Sequence, residues 1–152
     1  MRGDYKNIQE GNKKGMLYIT FMNTLEIIID GNKFSDLKSF YKEVDNVLTK
    51  DLQWETGHNL NAFNDLLYGG FGVHEYEEPI KLIWINCLKS KNDLGYDTTI
   101  KYLTKKLKKC HRTNVEYVRT ELIEAKKHKG ETLFEIIINI IKEHQHIELV
   151  IA

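Results

Sequence analysis

The sequence is short of proline, of cysteine and of net charge: one proline, two cysteines, and 22 basic residues against 22 acidic ones in 152. Cys87 and Cys110 do not make a disulfide framework, so a reducing, cytoplasmic setting is expected. No apolar run approaches the roughly 18–20 residues that span a bilayer. The longest, residues 136–141, is interrupted by Asn139, and no membrane partner is expected. Met1-Arg2-Gly3-Asp4-Tyr5-Lys6 leads into polar sequence without a signal-peptide core. Neither CxxC nor HExxH occurs, and His144-x-His146 and Cys110-His111 do not by themselves form a ligand set. Gly69-Gly70-Phe71-Gly72 lacks the lysine–hydroxyl ending of a phosphate loop and follows a helix pattern, not a strand. No internal repeat is present. Little therefore reads as catalytic machinery: no enzyme, no metal and no cofactor is predicted.

What remains is an ordinary globular composition, 41% hydrophobic and 29% charged, at a length suited to one domain. Such a chain buries about 68–70% of its unfolded surface. The zero net charge hides a segregation. Residues 1–24 carry +2, 25–95 carry −5, 96–129 carry +6 and 130–152 carry −3. An acidic body suits a basic partner, although solvated faces also partition charge by chance.

Residues 1–15 have no periodicity and read as a mobile leader, with a single domain expected over 16–152. Leu25–Asp30 reads as a strand ended by Asp30-Gly31, and residues 17–22 as an added strand or an extension of it. Ser35 is the expected cap of a helix whose Leu37, Phe40, Tyr41, Val44, Val47 and Leu48 follow a 3.6-residue stripe. Pro79 opens a strand over residues 80–86. Asp97 starts a helix with Ile100, Leu103, Leu107 and Cys110 inward. Thr113-Asn114-Val115-Glu116 has the form of a capping box for a second helix, so residues 96–129 predict a helical hairpin. Thr132-Leu133-Phe134-Glu135 is another capping box, opening a helix apolar enough to be covered on two sides. Ile147–Ile151 closes the sheet. Strands separated by helices predict parallel pairing: an α/β fold with a three-stranded parallel sheet and five helices.

The richest stretch runs from Gly57 to Gly70. Asn59 reads as the N-cap of a short helix with Leu60, Phe63, Leu66 and Leu67 on its buried stripe. Asn61, Asn64, Asp65 and Tyr68 fall on the opposite face, Asn61 and Asp65 one turn apart. Gly69-Gly70 stops the helix.

The order G-x-N-L-x-A-F-x-D-x-L over residues 57–67 resembles the binding helix of the barstar family of intracellular ribonuclease inhibitors. Ile27-Ile28-Ile29-Asp30-Gly31 with Phe34-Ser35-Asp36-Leu37 is similar to that family's first strand and helix, Glu78 to Trp84 to its second strand, and residues 133–151 to its last helix and strand. Gly69-Gly70-Phe71-Gly72, Leu94-Gly95-Tyr96 and Cys110-His111 are similar to steps in a longer barstar-related subfamily. The resemblance implies a barstar-like sheet packed with helices, with the hairpin at about 96–129 as an insertion. It implies a cis peptide at Glu78–Pro79. It implies an inhibitory, immunity or antitoxin protein, a monomer when free, that plugs the active site of a secreted or toxin ribonuclease.

In that reading Asp65 takes the place of a substrate phosphate, the alternative being a solvated helix carboxylate. The chain departs from the family by having Asn61 where a second aspartate is usual and Asn139 where the last helix carries a glutamate. Asn139 lies between Glu135 and Glu143 on that helix's polar stripe. The partner-facing set is therefore Asp65, Asn61, Asn64, His58, Tyr68, Asn139 and Glu135, with Trp54 either an aromatic contact or a core residue. Losing two carboxylates implies a changed partner, read through more polar contacts. The alternative function places nucleic acid on the basic helix 97–112, through Lys101, Lys105, Lys106, Lys108, Lys109 and Arg112. With few aromatics there and a neutral chain overall, nucleic acid is not the expected partner.

Overall fold

The computed structural model describes residues 24–152; the leader expected over 1–15 and the strand considered over 17–22 lie outside the described residues. Strands β1 (Leu25–Asp30), β2 (Ile80–Ile85) and β3 (Ile147–Ile151) form one parallel sheet in the order β1-β2-β3. Their registers set Ile27 beside Leu82 beside Leu149, and Ile29 beside Trp84 beside Ile151. Alternation then sends Ile27, Ile29, Ile80, Leu82 and Trp84 to a buried face and Glu26, Ile28 and Lys81 to the other.

Parallel neighbours need long crossovers, and helices supply them. Between β1 and β2 run α1 (Leu37–Leu48) and α2 (Leu60–Tyr68). Between β2 and β3 run α3 (Cys87–Asp93), α4 (Tyr96–Lys109), α5 (Val115–Lys126) and α6 (Leu133–Lys142). There are thus six helices among the described residues, not the five expected. The sixth is α3, whose seven residues carry no amphipathic stripe. It is held from outside: the buried Ser90 hydroxyl accepts from Trp84 Nε1 at 2.9 Å, and Lys89 Nζ donates to the carbonyls of Gly31 and Phe34.

Three helix starts differ from expectation. Asp36, not Ser35, caps α1, because its carboxylate accepts from the Ser39 amide at 2.8 Å while the Ser39 hydroxyl accepts from the Asp36 amide. The Ser39 hydroxyl holds the Asp36 carboxyl below its ordinary range, assisted by the Ser39 amide. Helix α4 begins at Tyr96, with Gly95 in the cap position. The capping box at Thr113–Glu116 does not form: a 3-10 turn over Arg112–Asn114 leads into α5, with the His111 ring accepting from the Thr113 amide. The capping box of α6 does form, Thr132 and Glu135 serving each other. The Glu78–Pro79 peptide is trans, contrary to the expectation of a cis bond.

The main core lies between the buried sheet face and α1, α2 and α6. Phe40 stacks on Trp84 at 5.7 Å and meets Phe63 edge-on at 5.5 Å, and Phe134 of α6 meets Trp84 edge-on. A second, smaller cluster of Leu103, Val118, Leu122 and Ala125 joins α4 to α5, and Tyr102 packs against both clusters. Helix α6 contacts β3, α2, α3 and α4, which explains its apolar girth. No helix among the described residues is long and apolar enough to cross a membrane.

Candidate functional site

Helix α2 has nine residues, too few to persist alone in water, so its surroundings must hold it. At its entrance, Asp45 of α1 accepts from the Thr56 hydroxyl and from His58 Nε2, the latter at 2.7 Å. The His58 ring also stacks on Tyr41 at 5.8 Å. Asn59 then caps the helix as expected, its side-chain oxygen accepting from the Ala62 amide at 2.8 Å.

At the exit, Gly69 takes φ +97°, and a Cβ there would lie 2.3 Å from the Glu75 carbonyl oxygen. The loop that follows folds back, the Glu77 amide donating to the Tyr68 carbonyl at 2.7 Å and the Gly70 amide to the His74 carbonyl. The Leu67 carbonyl, open at the helix end, lies 2.9 Å from His146 Nε2 and 3.1 Å from His74 Nε2. Both ends of α2 are therefore fixed by side chains remote in sequence.

Along the helix, Phe63, Leu66 and Leu67 are buried and Leu60 is half-buried, as the stripe predicts. Asn61 and Asp65 are exposed, and neither side chain makes a hydrogen bond or ion pair among the described residues. Asn64 does not share their freedom: its oxygen lies 2.7 Å from Nε2 of His144, beyond the end of α6. Burial, then the neighbouring His146, holds the His144 pKa below its ordinary 6.5, which favours the neutral ring.

Tyr68 is half-buried, edge-on to His144 at 4.5 Å and stacked on Tyr76 at 5.8 Å. Trp54 points outward at 59% exposure, which removes the core-packing reading. Asn139 and Glu135 are exposed on α6, but both are engaged near its start. Asn139 Nδ2 donates to Glu131 at 2.7 Å, and the Glu135 carboxylate serves the capping box. No hydrogen bond or ion pair links either of them to α2 among the described residues.

The expected set of eight thus divides. Asp65 and Asn61 are free on one helix face, with Tyr68 at the end of the same helix and Trp54 on the loop before it. His58, Asn64, Glu135 and Asn139 are committed to internal partners. Sequence reasoning passed over Tyr76, 67% exposed beside Tyr68, and Asp45, the anchor of the entrance loop. It also missed Glu77 and Glu143, which line a cleft of about 330 Å³ with Tyr68, His144 and His146. An aromatic amid Glu75, Glu77 and Glu78 was the available signal for Tyr76; nothing local marks Asp45.

Chemically this is an acceptor surface. An ionised carboxylate takes paired hydrogen bonds from an arginine and attracts other cations. No group of three or more potential metal ligands occurs among the described residues. Comparison with protein-family models, with curated proteins and with solved structures returns no match.

Proposed function

We propose that the outer face of α2 inserts into the cationic active site of a ribonuclease or related toxin nuclease and blocks it, making this chain an inhibitory immunity or antitoxin protein of barstar-like type. Asp65 stands in for a substrate phosphate. In this reading the α4–α5 pair is an insertion relative to barstar, and the protein acts inside the producing cell, before the nuclease leaves it.

One observation carries the reading. Asp65 is an exposed carboxylate without an internal partner, on a helix clamped at both ends. A surface already held in its binding shape loses little freedom on association. The carboxylates of Glu77 and Glu143 beside Tyr68 add acidic character at the same end of α2, partly replacing the charge that Asn61 and Asn139 lack. They steer a basic partner, and Asn61 supplies a donor and an acceptor one turn away.

The test is Asp65→Ala against a ribonuclease that the parent chain inhibits, sought first among the products of adjacent reading frames, read by inhibition and by calorimetry. Affinity is expected to fall by at least about 2 kcal/mol, roughly 30-fold, with an unaltered melting temperature because the side chain is exposed. Unchanged affinity removes the proposed site. Asp65→Asn separates charge from shape, and it should recover little of the loss.

A further inference from the structure

A second surface is built with the opposite charge. Between α4 and the N-terminal ends of α1 and α2 runs a groove of about 610 Å³. Lys101, Lys105, Lys106 and Lys109 of α4 line it from one side and Lys38 of α1 from the other. None of these five ammonium groups has an ion pair or hydrogen bond among the described residues. The one acid on the lining, Asp36, accepts from the amide and hydroxyl of Ser39, and its charge is offset by Lys38 and Lys42 of α1, not by the lysines of α4. The four α4 lysines, with no ion-paired acid among the described residues, repel one another, a cost that an anionic occupant relieves.

The arrangement also says what kind of anion. Lys101, Lys105 and Lys109 recur every fourth residue, so they rise about 6 Å at each step and about 12 Å in all along one face of α4. That is a ladder suited to successive phosphates of an extended strand, not a pocket closing on a single ion. Tyr102 lines the groove within the ladder, with Lys106 Nζ 5.8 Å from its ring centre. Lys108 and Arg112, grouped with these lysines by sequence, do not line the groove.

We propose that this groove binds single-stranded nucleic acid through its phosphates, with little selectivity for base. The site does not use Asp65, although His58 and Asn59 at the entrance of α2 also line the groove. The ladder's rise of about 12 Å along α4 matches two or three phosphates of one extended strand.

The experiment is fluorescence anisotropy of a labelled short oligouridylate titrated with the full chain. Binding is expected at low salt, weakening between about 20 and about 200 mM with a log–log slope of about −2 to −3 for three or four neutralised phosphates. Lys101→Glu, Lys105→Glu and Lys109→Glu together should reduce affinity at least about 30-fold while circular dichroism stays native. The matched triple Lys126→Glu, Lys127→Glu and Lys129→Glu, beyond the groove, should change it by less than about 2-fold. Asp65→Ala should bind the oligonucleotide like the parent, which separates this result from the inhibitor reading. Three outcomes overturn the proposal: no binding at the lowest salt, equal losses in the two triple variants, or tighter binding of a duplex or of polyglutamate than of the single strand.

Discussion

His144 holds the junction between the end of α6 and helix α2 with one imidazole. Its Nε2 meets Asn64, its ring meets Tyr68 edge-on, and Glu143 and His146 are its charged and titratable neighbours. Burial and then His146 lower its pKa, while Glu143 opposes them, so the folded protein favours the neutral ring. As pH falls, the unfolded chain therefore takes up this proton before the folded one does. The contribution is complete above the ordinary value of 6.5 and is lost as pH falls from there through the lower, folded pKa. Urea midpoints measured downward from neutral pH should decline across that window, and His144→Gln should flatten the decline. An identical pH dependence in the variant contradicts the assignment. Asn64 shows why such a residue escapes a sequence reading. Helical geometry placed it opposite the apolar stripe, but a ring 80 positions away claims it.

At the scale of elements, legibility follows how local the determinants are. Helices α1, α2 and α6 were readable because their stripes lie inside their own spans and their caps or stops directly beside them. Where two capping residues adjoin, as Ser35 and Asp36 do, the choice depends on which side chain meets Ser39, and sequence alone set the boundary one residue early. Helix α3 was not readable, since Trp84 and two carbonyls of the β1–α1 connection hold it in place. The Asp65 face was legible as a face; the clamps that make it rigid were not, because Asp45 and His146 come from other elements. The cap of α2 yields a direct prediction. Asn59→Ala removes the acceptor of the Ala62 amide and should cost about 1 kcal/mol in urea denaturation, whereas Asn59→Asp keeps that acceptor and should cost far less. Equal losses for the two variants would show that the side chain acts otherwise than as a cap.

For the molecule as a whole, the two hydrophobic clusters predict unequal stability. The main cluster joins the sheet to α1, α2 and α6, whereas Leu103, Val118, Leu122 and Ala125 hold α5 to α4. Links back to the body are few and specific. The Thr99 hydroxyl accepts from the Leu133 amide, the Tyr96 hydroxyl donates to the Gly130 carbonyl, and Tyr102 bridges the clusters. Helix α5 buries three of its twelve residues, all within the small cluster shared with α4, and should open without the sheet. Native-state hydrogen exchange should therefore show α5 amides exchanging at lower free energy than those of β2. Leu122→Ala should cut protection in α5 by about 2 kcal/mol, the lower end for a buried leucine, because one side of its cluster faces solvent. Protection in β2 and α2 should hold, since neither touches Leu122's cluster. If β2 loses protection in parallel with α5, the chain unfolds as one cooperative unit and the two clusters are energetically one core.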